Sequence, residues 1–473
     1  MDEKKLGWIG FASVSFATLM ATLDSSAINV ALPAISRDFH AAMKHVQWVM
    51  ISYLLTACSL LLPMGRFGDL WGKNRLFKIG FFVFITCALL CSFAKTLDQL
   101  IFFRIFQGIG GAIVMSLSPA ILVDSFPASE RGKAMGFMGT MASIGLLSGA
   151  PISGLLTHYF SWKSVFFINI PMGLIGLIWA FKFLPKDQGT SSPLRFDFLG
   201  SFFVILSFGS LLFLFTNILS WGFHSAYTFL FAGLFLMGGI LFLKWEWKNP
   251  HGVLDLSLFK DRFFLFGNLS LLLHCISLFI LYFLTPFFLA EAMTYSQKEI
   301  GLIMMAIPLA FAISTPLFGA ISDRIGYRIL VPSGLFLIAL AYFWFGKTTL
   351  ASSTSEIFVK LLCVGLAGGL FQAPNNSGLM GAVLKHHLGT AAAMIATMRT
   401  FGAVIGVSLG TVIFTLRISA YNGFGTAFSV HDLPTDLFIN AFRDTMWLSA
   451  VIVLLGMGVS LIRYNGRNLS QGM

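Results

Sequence analysis

GRFGDLWGKNR, Gly65 to Arg75, returns in degenerate form as GAISDRIGYR, Gly319 to Arg328. Gly65, Asp69, Gly72 and Arg75 in the first copy answer to Gly319, Asp323, Gly326 and Arg328 in the second, which adds Arg324. Both copies are short, polar and glycine-bearing, and both join two long apolar runs. Such a turn is a helix connection at a membrane surface, and its recurrence marks an internal repeat of a multi-helix unit.

Composition agrees. The chain of 473 residues is 57% hydrophobic and 11% charged, with 52 Phe. A soluble domain carries about 25% charged residues, so this sequence reads as an all-α polytopic membrane protein. Apolar runs predict spans near 6–35, 46–65, 76–94, 98–123, 133–157, 164–184, 197–218 and 226–245. Six more follow near 264–290, 299–321, 328–346, 356–381, 389–416 and 444–464, fourteen in total. The first run, after MDEKK, is too long for a signal-peptide core and reads as a retained helix.

The net charge of +11 would suggest nucleic acid in a soluble protein. Here the basic residues gather in alternate loops, among them Arg66, Lys73, Arg131, Lys133, Arg324 and Arg328. That bias predicts cytoplasmic termini and no nucleic-acid partner. The five cysteines lie in apolar runs and read as buried free thiols, not as a metal site.

The two glycine turns follow spans 2 and 10, eight spans apart, whereas two six-helix halves would place them six apart. The extra pair at 197–245 accounts for the difference. The predicted organisation is therefore 6+2+6: a six-helix bundle over 1–184, two linker helices within 185–261, and a second bundle over 262–473.

Inside the first span, ATLDSSAINVALP, Ala21 to Pro33, carries Asp24 and Asn29. A carboxylate there costs roughly 2.5–3.5 kcal/mol on insertion scales, so it needs a partner or a function. Arg104, in span 4, lies at compatible depth, with Gln107 one turn away to orient it. A carboxyl that alternately faces water, substrate and an arginine can take up and release a proton. The sequence thus predicts proton coupling at Asp24 and Arg104; a static ion pair tying helices together is the alternative. Asn29, Gln107, Asn375, Asn376 and Arg399 are candidate cavity residues. His274, a lone histidine on an apolar helix, reads as a satisfied polar contact, and Glu291 as an interfacial group.

These residues resemble the major facilitator superfamily, and more narrowly its fourteen-helix drug:proton antiporters. GRFGDLWGKNR looks like the loop motif after helix 2, and RIFQGIGGAIV (Arg104 to Val114) like the helix 4 motif. GLLSGAPISG (Gly145 to Gly154) is similar to the exporter motif of helix 5, with Gly145, Gly149, Pro151 and Gly154 as its packing residues. LDSSAINVALP and WKSVFFINIPMG (Trp162 to Gly173) resemble the signatures of helices 1 and 6. Ala150 and Ser153 stand where that helix 5 motif has glycine, small for small. Helix 13 lacks an acid, so the resemblance implies no preference for cationic drugs.

The resemblance implies the major facilitator fold and efflux of small apolar or amphipathic compounds by alternating access, powered by a proton gradient without a cofactor. It also implies glycine turns that latch one side of the molecule. The partners implied are a small-molecule substrate, protons and the lipid bilayer of the inner or plasma membrane; a periplasmic adaptor is left open. Export of one metabolite, siderophore or organic acid is the same-class alternative. A membrane-embedded enzyme is the remote one, since no His, Asp and Ser cluster gathers at one interface. Nor does the chain carry a phosphate-cradling GxxxxGK[ST] loop.

Overall fold

The computed structural model describes residues 3–125, 131–184, 187, 197–222, 224–248, 260–383, 388–422 and 433–463. Within these, some side chains lie outside the described set, among them those of residues 3–10, Asp69, Asp323 and the stretch 131–137.

The described residues form helices almost throughout. In order they are α1 (Glu3–Asp38), α2 (Met43–Trp71), α3 (Lys73–Ser92), α4 (Leu97–Ser125), α5 (Arg131–Tyr159), α6 (Lys163–Phe167), α7 (Asn169–Phe183), α8 (Phe198–Trp221) and α9 (Ala226–Lys248). Then come α10 (Arg262–Phe287), α11 (Gln297–Met304), α12 (Ala306–Ile325), α13 (Tyr327–Gly346), α14 (Thr354–Gly381), α15 (Leu388–Asn422) and α16 (Thr435–Ile462).

Two predicted spans are broken. Span 6 is divided at Ile168 into α6 and α7, and span 10 at Met305 into α11 and α12. In each case a proline, Pro171 or Pro308, stands third in the new segment and lacks the N–H that would bond back across the break. After Pro286, α10 likewise loosens into a π turn, Phe288–Ala292. With the broken pairs counted once, the described residues hold fourteen helices of spanning length. Thirteen candidate spans appear among the described residues, and α2, 29 residues long, is the other.

By contacts the chain forms two compact units. The first gathers Met1–Leu254, Thr285–Met305 and Gly425–Leu433; the second Asp255–Leu284, Ala306–Phe424 and Pro434–Met473. In the first unit α1 packs on α5 and α7, and α4 on α2 and α3. The α8–α9 pair belongs to this unit and reaches α2 through the Trp48 and Phe213 rings, 5.6 Å apart. In the second unit α14 packs on α12 and α13, and α16 on α13 and α15.

The repeat is legible in the helix crossings. A Cβ on Gly145 of α5 would lie 2.6 Å from the Leu19 carbonyl oxygen of α1; one on Gly402 of α15 would lie 3.1 Å from that of Leu272 in α10. Gly149 approaches the Leu23 and Ser26 positions just as Gly406 approaches Ile276 and Phe279. Gly108 of α4 meets the Tyr53 carbonyl of α2, and Gly365 of α14 that of Ile307 in α12. Only a missing Cβ lets these backbones approach so closely.

The turns repeat as well. Gly72, between α2 and α3, has φ +105°, and Gly326, between α12 and α13, has φ +82°. Both fall in the left-handed region that glycine tolerates.

Candidate functional site

The first unit holds a charged centre. Asp24 of α1 and Arg104 of α4 form an ion pair, Nη1 to Oδ2 at 2.7 Å, with 0% and 1% of their side chains exposed. Arg104 also donates from Nε to the Val49 carbonyl at 2.9 Å and from Nη1 to Gln107 Oε1 at 2.9 Å. Asn169 Nδ2 donates to Asp24 Oδ1 at 2.9 Å, and Gln107 Nε2 to the same oxygen at 3.4 Å. The guanidinium lies over the Tyr53 ring at 4.3 Å and the Phe166 ring at 5.8 Å.

Local sequence explains the geometry. Arg104 and Gln107 share a face of α4 at i, i+3. The break at Ile168 begins α7 at Asn169, which is wholly buried. Two ions in so dry a place persist only because their remaining hydrogen-bond positions are occupied. Chemically, Asp24 accepts from three side chains on two other helices. Arg104, for its part, has partners besides the carboxylate. Neutralising Asp24 would therefore leave the arginine with Val49, Gln107 and Tyr53 around it.

Tyr53, Asn169 and the Val49 carbonyl escape sequence reading. Asn169 lies inside the quoted WKSVFFINIPMG stretch, and its burial on an apolar helix is the signal that could have found it. A backbone carbonyl has no such signal.

The other candidates are scattered. Asn29 donates to Ser25 of its own helix at 3.2 Å and stays outside the charged centre. Asn375 of α14 donates to the Gly267 carbonyl at 3.3 Å and accepts from Arg463 Nη1 at 2.7 Å, so it ties α14 to α10 and the end of α16. The Oδ1 of Asn376 is buried without a hydrogen-bond partner among the described residues. Arg399 is exposed on α15. His274 departs from the expectation of a satisfied contact: it is 1% exposed, and neither ring nitrogen has a partner among the described residues.

Of the helix 5 motif, Gly145 and Gly149 face α1, while Gly154 faces α11, its Cβ position 2.9 Å from Gly301 Cα. Pro151 lies inside α5 between these crossings. Ser153, in a glycine position of the motif, donates to the Ala27 carbonyl at 2.6 Å. Beyond this crossing, Arg37 pairs with Glu291 at 3.0 Å and donates to the Ala290 carbonyl at 3.1 Å.

Gly65 and Gly319, expected in turns, lie inside α2 and α12, which run on to Trp71 and Ile325; both have open surroundings, with no neighbour closer than 3.8 and 4.0 Å to a built Cβ. Arg75 is exposed over the Trp71 ring at 4.4 Å, and Arg324 and Arg328 are exposed. The first turn of α3 is capped by Asp187, which accepts from the Asn74 and Arg75 backbone N–H groups at 3.0 and 2.9 Å. No group of three or more metal-ligating side chains occurs among the described residues. Four cysteines are buried free thiols, and Cys363 is partly exposed.

Comparison with known proteins agrees with this architecture. The family model described as Major Facilitator Superfamily matches residues 14–407 and 267–466. The chain is 31% identical over 454 residues to the riboflavin transporter RibZ of Clostridioides difficile (strain 630), covering 96% of each chain. It is 29% identical to the multidrug resistance protein Stp of Mycobacterium tuberculosis (strain CDC 1551 / Oshkosh), covering 83% of this chain and 73% of that one. A crystal structure of a D-xylose–proton symporter shares the fold with TM-score 0.68 at 13% identity, over 98% of this chain and 99% of the other. A chain with this helix count, these repeated crossings and these relatives is a transporter, not an enzyme: it is a multi-pass membrane protein and belongs to the Major Facilitator Superfamily.

Proposed function

We propose that this protein exports small apolar or amphipathic compounds in exchange for protons, by alternating access, with Asp24 as the proton-carrying group and Arg104 as its electrostatic partner. The observation that carries the reading is the buried ion pair itself. Arg104 has Val49, Gln107 and the Tyr53 ring as standing partners, so protonation of Asp24 breaks one bond without stranding the cation. Two orphan acceptors nearby, the Tyr53 hydroxyl and Asn169 Oδ1, give the opened centre spare polar capacity. The basic loops put both termini in the cytoplasm of an inner or plasma membrane. The glycine turns at Gly72 and Gly326 act as hinge points of the cycle, and the α5 glycines as faces that separate and re-pack.

The test is accumulation of a fluorescent cationic or neutral dye in inverted vesicles under an imposed pH gradient, with and without a protonophore. Wild-type accumulation should collapse when the protonophore is added, and Asp24→Asn should abolish gradient-driven accumulation. Undiminished accumulation in Asp24→Asn would defeat proton coupling at this residue.

A second reading, transport of one flat heteroaromatic metabolite, draws on the similarity to a riboflavin transporter over nearly the whole chain. Riboflavin in the same vesicles, in place of the dye, separates the two.

A further inference from the structure

We propose that His274 is a substrate-recognition residue of the second unit, hydrogen-bonding the carbonyl or ring-nitrogen edge of a flat heteroaromatic compound. The proposal rests on the small-molecule transport reading for the existence of such a substrate, and it concerns a unit that the charged centre at Asp24 does not occupy.

Buried polar groups in folded proteins are hydrogen-bonded as a rule, and an orphan one calls for an explanation. His274 is 1% exposed, yet Nδ1 and Nε2 both lack a partner among the described residues. Its neighbours on the same helix do not share this state: Ser270 donates to the Gly456 carbonyl of α16 at 3.2 Å, and Ser277 to that of Ser449 at 3.0 Å. The serines on either side of His274 are thus satisfied across to α16, while the imidazole between them is not.

The surroundings define what would satisfy it. The Phe371 ring of α14 lies 4.9 Å from the imidazole, tilted by 60°, and offers a flat apolar wall. The charged group that acts on the imidazole is Arg399 of α15. Arg399 is exposed and more than one turn inside the span Met394–Tyr421. An arginine at that depth faces water or protein rather than lipid. An imidazole can offer one N–H donor and one acceptor, and the charge of Arg399 acting on it favours electron-rich groups. That chemistry selects a carbonyl-bearing or anionic heteroaromatic ring and disfavours a permanent cation.

The experiment uses the full-length protein purified in detergent, with riboflavin as the probe and quenching of its fluorescence as the readout. His274→Phe keeps a ring and removes both hydrogen-bonding atoms; His274→Gln keeps a donor and an acceptor. We expect His274→Phe to weaken riboflavin binding at least tenfold, and His274→Gln to remain within about threefold of wild type. Binding of tetraphenylphosphonium, which cannot hydrogen-bond, should be unchanged in both. His274→Leu substitutes for the Phe variant if the latter does not give a monodisperse protein. Equal riboflavin affinity in wild type and His274→Phe, equal losses for both probes, or no saturable riboflavin binding by wild type would each overturn the proposal. Failure of proton coupling shows differently, as transport that ignores the pH gradient while binding still depends on His274.

Discussion

The two units share helix crossings but not the chemistry at their centres. Five residues on from the crossing carbonyl of Leu19 in α1 lies Asp24; five on from Leu272 in α10 lies Ser277. Four residues before Gly108 lies Arg104, and one before it Gln107; four and one before Gly365 lie Leu361 and Val364. Thus the positions that hold an ion pair and its amide in the first unit hold a serine, a leucine and a valine in the second. All three are buried. One of the second unit's unsatisfied polar groups among the described residues, His274, sits one turn earlier on α10. The lesson is that crossing geometry and site chemistry are set by different residues. Glycines fix how close the backbones come, while the positions between them are free to carry either a charged centre or an apolar core.

That comparison can be broken at several points. The largest difference should come from Arg104→Met, which leaves the Asp24 carboxylate buried without its cation and should cost roughly 3–5 kcal/mol. Leu361→Met at the equivalent position should cost under about 1.5 kcal/mol. Thermal unfolding in detergent checks both; similar losses would mean that the ion pair contributes no more than ordinary packing.

Next come the crossings. Gly149→Val and Gly406→Val each push a branched side chain into a backbone, and each should destabilise by about 1–3 kcal/mol. If denaturation shows one much milder than the other, the matched pairing of α1–α5 with α10–α15 does not hold energetically.

The turns should differ more gently. Asp187→Ala removes the cap from α3 and should cost about 0.5–2 kcal/mol. At the two left-handed positions, Gly72→Ala should be worse than Gly326→Ala. The new methyl at Gly72 meets the Asp187 carboxylate, whereas nothing lies within 4 Å of Gly326. Proteolysis rates at the two turns would rank them.

The smallest effect is expected at Arg37. Its own side of the pair is 49% exposed, so Arg37→Gln should cost no more than about 1 kcal/mol, shrinking as salt is added. A loss that salt does not change would show that its bond to the Ala290 carbonyl matters more than its charge.

Much of the architecture was readable before any coordinates. Long apolar runs with few charges have one stable solution in a bilayer, so span count followed from composition and length. The breaks at Ile168 and Met305 were less legible, although Pro171 and Pro308 were in plain view, because a proline kinks, breaks or merely bends a helix according to what its neighbours re-satisfy. The Asp187 cap of α3 was not legible, because linear order does not show where the chain returns after α7.

What the sequence by itself determined is that an acid and an arginine sit in oil at matching depth, and that the chain spans the membrane many times in two related halves. Burial cost is a property of residue type and position along a span, so it can be read from one dimension. Only the tertiary structure decided that Asn169, Tyr53 and the Val49 carbonyl complete the Asp24–Arg104 centre, that Asn375 serves Arg463, and that His274 is left without a partner. Those outcomes depend on which helix faces meet, and helix rotation in a bundle is fixed by packing among distant segments rather than by any local pattern.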